Sequence, residues 1–149
     1  MPIPLSPNPS PLPAKLSLLW VFVTANYLYC DVLSLMDPKF IRDLVQGGPP
    51  GMPITESFLF YAALLMEIPI AMILFSRLVD RRFSRWANLG AGLAMPLVQI
   101  GSFWFGSGIT SYYLFFSAIE IATTSYIAWC AWNWSPKSIS PSFSTHPSP

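Results

Sequence analysis

Charge is scarce in this sequence: Lys, Arg, Asp and Glu together make up 10% of its 149 residues, against about 25% in an ordinary globular chain. So few charged side chains cannot cover a water-exposed surface. The net charge of +1 comes with no basic stripe able to follow a phosphate backbone, which excludes nucleic-acid binding. Histidine is scarcer still. The single one, His146, sits in a Ser/Pro tail with no second ligand at metal spacing, so neither a zinc site nor a Ser-His-Asp triad can be assembled, and no cofactor is expected. Cysteine appears twice, as Cys30 and Cys130, both inside apolar runs and expected near opposite membrane faces, which excludes a disulfide and leaves two free thiols.

Apolar residues fill the space that charge leaves. Some 53% of the chain is hydrophobic, arranged as long uncharged runs between short charged clusters, which is the composition of a membrane protein. Residues 1–14 form a Pro/Ser-rich lead without Lys or Arg before Lys15, unlike the basic start of a signal peptide, and are expected to be disordered. Residues 15–134 read as a four-span membrane domain with spans at about 16–36, 57–76, 86–105 and 112–132, each near the 20 residues that cross a core about 30 Å thick. The Ser/Pro-rich tail 135–149 is expected to be disordered.

Between the first two spans, Asp37-Pro38 offers an N-cap with proline at the first helical position, and Gly47-Gly48 offers a stop. A short helix fits there. Phe40, Ile41, Leu44 and Val45 alternate with Lys39, Arg42, Asp43 and Gln46 at helical spacing, as in an amphipathic interfacial segment. Gly106-Ser107-Gly108 predicts a tight turn between the last two spans.

Orientation follows from the distribution of cations. Lys15, Arg77, Arg81, Arg82, Arg85 and Lys137 fall on one side of the expected bundle, and only Lys39 and Arg42 on the other. Both termini are therefore expected in the cytoplasm, with the protein in the inner or plasma membrane. Trp20, Trp86, Trp129, Trp132 and Trp134 would mark the inner interface, and Tyr29, Trp104, Tyr112 and Tyr113 the outer one. The expected fold is an all-α, integral membrane four-helix bundle, N-in/C-in, with the amphipathic helix between spans 1 and 2.

Three of the seven acids, Asp31, Glu67 and Glu120, lie within expected spans, and no Lys or Arg does. An acid at mid-membrane costs roughly 3 kcal/mol, so such residues face protein or water. From the rise per residue, Asp31 lies about 7 Å from the outer end, Glu120 about 12 Å and Glu67 about 15 Å, a spread that one outward-opening cavity could hold. Helical spacing gives each span one stripe of polar and small residues. The stripes are Thr24, Tyr27, Asp31 and Ser34 with Asn26 and Cys30 beside them; Ala63, Glu67 and Ala71; Asn88, Gly92, Gln99 and Ser102; and Tyr113, Ser117, Glu120, Thr124 and Ala128. Pro69 also leaves the Leu65 carbonyl without its helical donor. Glu67, Glu120, Asp31, Asn26 and Gln99 are the candidate ligand- or proton-binding residues; the alternative is that they are interhelical glue. No catalytic group is evident.

The blocks Asn26 to Pro38, Met66-Glu67-Ile68-Pro69-Ile70-Ala71-Met72, Arg85-Trp86-Ala87-Asn88 and Tyr113 to Ala122 resemble a family of small bacterial integral membrane proteins catalogued as a domain of unknown function. The resemblance covers about residues 16 to 134 and implies four spans, with no activity attached. A looser similarity of architecture points to DoxX-like four-helix membrane proteins, some of them associated with redox or quinone partners. Three functions follow as expectations. One is a small transporter or ligand-binding bundle working through its intramembrane carboxylates. The others are a structural or accessory subunit of a membrane complex and a DoxX-like redox-associated protein. A bundle this small would gain a pathway by forming a homo-oligomer or joining a larger complex.

Overall fold

The computed structural model describes residues 11–49, 53–104 and 109–134. These fold into five helices: α1 (Leu12–Ser34), α2 (Pro38–Val45), α3 (Glu56–Leu78), α4 (Arg81–Ser102) and α5 (Ser111–Trp132). The expected turn at 106–108, the tail 135–149 and most of the lead lie outside the described residues. Where the lead is described, it is already helical from Leu12, because Pro13 sits in the first turn, where its missing amide has no helical partner to lose.

The four long helices pack in a ring, α1 against α3 and α5, and α4 against α3 and α5. Side-chain pairs fix their directions. Ser17 near the start of α1 donates to the carbonyl of Ile73 near the end of α3, and Lys15 meets Tyr126 near the end of α5, so α1 runs antiparallel to both. The same holds for α4 and α5, since Arg85 reaches Ala131 and Gln99 reaches Ser117.

The core that these directions create holds Leu16, Trp20, Val23, Tyr27, Met72, Met95, Ile127, Cys130 and Trp134. The opposite surfaces are equally apolar, with Leu18, Leu28, Phe60, Leu97 and Phe115 exposed. Helices α1, α3 and α5 are long and apolar enough to cross a membrane. Helix α4 has the length but opens with Arg81, Arg82 and Arg85 and carries Asn88 and Gln99, so composition alone does not mark it as a fourth span.

α2 matches its expected position. Asp37 caps it by accepting from the Lys39 amide at 2.9 Å, and Gly47 and Gly48 end it at φ 96° and 119°, a region that favours glycine. None of its residues is fully buried; on its apolar side Phe40 and Leu44 are half-buried, and Ile41 and Val45 are exposed.

Candidate functional site

The polar residues inside the ring sort into two levels, and the first is closed. Trp20 Nε1 donates to Asn88 Oδ1 at 2.8 Å, and Ser76 Oγ approaches the same oxygen at 3.1 Å. Asn88 Nδ2 in turn donates to the Ser84 carbonyl at 2.8 Å. Three helices are tied through one amide, which has both donor and acceptor in use. Asn88 and Ser84 come from the expected α4 stripe and its N-terminal extension. Trp20 was expected as an interface marker; instead it is wholly buried and its indole is the donor.

The second level lies toward the start of α5. Gln99 Nε2 donates to Ser117 Oγ at 2.6 Å, Ser102 Oγ donates to the Gln99 carbonyl at 2.6 Å, and Tyr113 OH joins both side chains. One turn along α5 is Glu120, 1% exposed, with its Oε1 buried and unpartnered. Thr24 Oγ1 and Tyr27 OH, on α1, are likewise buried and unpartnered. The antiparallel contacts Lys15 with Tyr126 and Tyr29 with Phe116 set the register, and it brings Thr24 and Tyr27 within about one turn of Glu120.

An unsatisfied buried polar group costs about 1–3 kcal/mol, so three near one level of one small bundle would be stabilised by a further polar partner. No cation of the chain offsets the carboxyl from within these helices: the sequence has none between Lys15 and Lys39, and none between Arg85 and Lys137. A carboxyl among hydroxyls can exchange a proton with them or hold a cationic or hydrogen-bond-donating ligand.

The other expected site residues divide. Gln99 stands at the Glu120 level. Asn26 folds back on its own helix, donating to the Phe22 carbonyl at 2.9 Å. Asp31 is exposed, one position past buried Cys30. Glu67 is exposed as well, and here the expected inward stripe of α3 is corrected. The buried residues of α3 are Pro69, Met72 and Ser76, and Glu67 lies about 140–200° around the helix from all three. Ala63 is exposed beside it, and Ala71 is half-buried. The three acids therefore do not share one interior cavity. Leu65 packs on the core, on the other side of α3 from Glu67. Cys30 and Cys130 are both buried free thiols.

No curated protein and no solved structure matches the chain. A family model does, over residues 13–140, and the chain belongs to that family, a family of unknown function (DUF6326).

Proposed function

We propose that this chain is a four-span membrane protein that binds a proton or a small cationic ligand at Glu120, as a small transporter or ligand-binding bundle. The observation that carries the reading is the fully buried Glu120 carboxyl, whose free oxygen lies at the level of the equally free hydroxyls of Tyr27 and Thr24. Intramembrane acids without an internal cation mark ion and proton paths more often than bland contacts. The apolar outer faces support a lipid setting. For α4, the 17 residues from Trp86 to Ser102 are uncharged and span about 25 Å, and its arginines would then rest at the headgroup level. The excess of Lys and Arg on that side supports cytoplasmic termini in the inner or plasma membrane.

The test is flux and binding in proteoliposomes, wild type against Glu120→Gln. The amide keeps the size and most of the hydrogen bonding but cannot exchange a proton or hold a charge. It should insert and fold normally while pH-dependent cation or proton movement is lost; unchanged movement removes the reading.

Glu67 favours a second reading beside the first. An exposed carboxyl flanked one turn either way by Ala63 and Ala71 is unsuited to lipid, and small residues permit close helix approach. A second copy packing on α3 would cover it, making the chain a subunit of an assembly.

A further inference from the structure

The two ends of the bundle are unlike as seen from Glu120. Toward the start of α1 and the end of α5 the interior is apolar and tight: Leu16, Trp20 and Val23 on one helix and Ile127, Ala128 and Ala131 on the other are each at most 5% exposed. Thr124, one turn along α5 on that side, directs its hydroxyl to the Glu120 backbone carbonyl at 2.7 Å, and the bonds of Asn88 to Trp20 and Ser76 close the level beyond it. Toward the start of α5 the same face is polar. Ser117 precedes Glu120 by three residues and Tyr113 precedes Ser117 by four, so hydroxyls follow one another at steps of about 4.5 and 6 Å. Ser117 is buried, whereas Tyr113, Gln99 and Ser102 are half-buried at the end of the bundle.

The hydrogens of this cluster can be assigned from its bonds. Ser102 Oγ gives its hydrogen to the Gln99 carbonyl, so in its contact with Tyr113 it accepts and the phenol donates. Gln99 Nε2 donates to Ser117 Oγ and to Tyr113 OH. Ser117 is thereby an acceptor whose own hydrogen has no acceptor among the described residues, and it stands one turn from a carboxyl oxygen that has no donor.

The level of Glu120 has no room for a molecule. Glu120 Oε1, Tyr27 OH and Thr24 Oγ1 are each closed off even from water. A hard metal cation stripped of its water takes about six or more oxygen ligands, and an ammonium ion is no smaller than a water molecule. The titratable side chains packed toward this level are Tyr27 and Cys30 on α1 and Tyr113 on α5, with Asp31 exposed beside Cys30. Helix α4 has none after Arg85, and the buried residues of α3 are Pro69, Met72 and Ser76.

We infer that the occupant of Glu120 is a proton, and that it comes and goes through Ser117 from the end of the bundle where α4 stops and α5 starts. This rests on Glu120 as the binding group and narrows what binds there and from which side. In uptake, a hydronium ion at that end gives one hydrogen to the hydroxyls, while Ser117 passes its own to the carboxylate and takes one in return. The net change is one proton added to Glu120 and one water released.

The experiment uses the full-length protein in neutral detergent and infrared difference spectroscopy, which reads the C=O stretch of a protonated carboxyl. A carboxylic-acid band should appear on acidification, shift in heavy water and be lost in Glu120→Gln. Sodium, potassium or ammonium chloride added to saturation at fixed pH should leave it unchanged. After a pH jump the band should rise several-fold more slowly in Ser117→Ala and in Tyr113→Phe, and at the wild-type rate in Thr124→Val, which removes the hydroxyl on the tight side. Should Ser117→Ala fail to fold, Tyr113→Phe decides. Loss of the band on adding one of the cations at fixed pH overturns the inference and leaves Glu120 a cation site. Equal rates in all variants overturn the route and with it the inference. A band that Glu120→Gln does not alter, with no response to any cation, removes Glu120 itself as the binding group.

Discussion

Gly92 of α4 lies so close to Ala128 of α5 that a Cβ built on it would stand 2.9 Å from the Ala128 nitrogen, and 3.0 Å from the Thr124 carbonyl oxygen. Neither backbone atom can move without moving the helix. Gly92→Ala is therefore expected to force α4 and α5 apart at a cost of about 1–3 kcal/mol. Gly90→Ala and Gly101→Ala, which meet nothing within 4 Å, should be neutral or slightly stabilising. Thermal unfolding of the three variants in detergent checks this; equal midpoints would show that the helices are not so closely packed.

Asn88 ties Trp20 and Ser76 together, so its loss should be felt through its partners. Asn88→Ala leaves the Trp20 indole without its acceptor and should cost about 1–3 kcal/mol. Combined with Trp20→Phe, the two costs should fall short of their sum by about 0.5–2 kcal/mol, the coupling carried by the bond itself. Strict additivity in reversible unfolding would mean that the bond is not formed.

The number of crossings has a direct readout. Four spans place the two ends of the chain on one side of the membrane, and three place them on opposite sides. Reporters fused before Met1 and after Pro149 should both be active only in their cytoplasmic form. A reporter inserted after Gly48 should behave in the opposite way. Ends reported on different sides would remove α4 from the membrane.

Glu67 separates a lone bundle from an assembly. Its exposure on α3 predicts a dimer in lipid nanodiscs, measured by mass photometry. Glu67→Gln should keep that dimer, because the amide still bonds across an interface, while Ala63→Leu should split it by blocking close approach. A monomer in the wild type would refute this second reading.

Much of α4 and α5 was legible in the sequence. Asn88, Gly92, Ser117, Glu120, Thr124 and Ala128 repeat at helical spacing, and all are buried. Polar and small residues mark the inside of such helices because the remaining faces are apolar. Helix α3 offered no such guide. Its inward residues Pro69 and Met72 are as apolar as its outward ones, so hydrophobic periodicity carries no signal, and its only mid-helix acid lies on the outer face. Trp134 was hidden for another reason, since its contact with Arg81 joins positions far apart in sequence and no local pattern encodes it.

The two buried prolines, Pro69 in α3 and Pro96 in α4, lie on the same side of the Trp20–Asn88–Ser76 knot, seven residues from Ser76 and eight from Asn88. Each removes one backbone bond at a matching height, about 10–12 Å beyond the knot. The knot thus sets the spacing of three helices at one end, while beyond Pro96 the far end of α4 is held separately by the bonds of Gln99 and Ser102 to α5, so the two weakened helical turns lie between two tied levels.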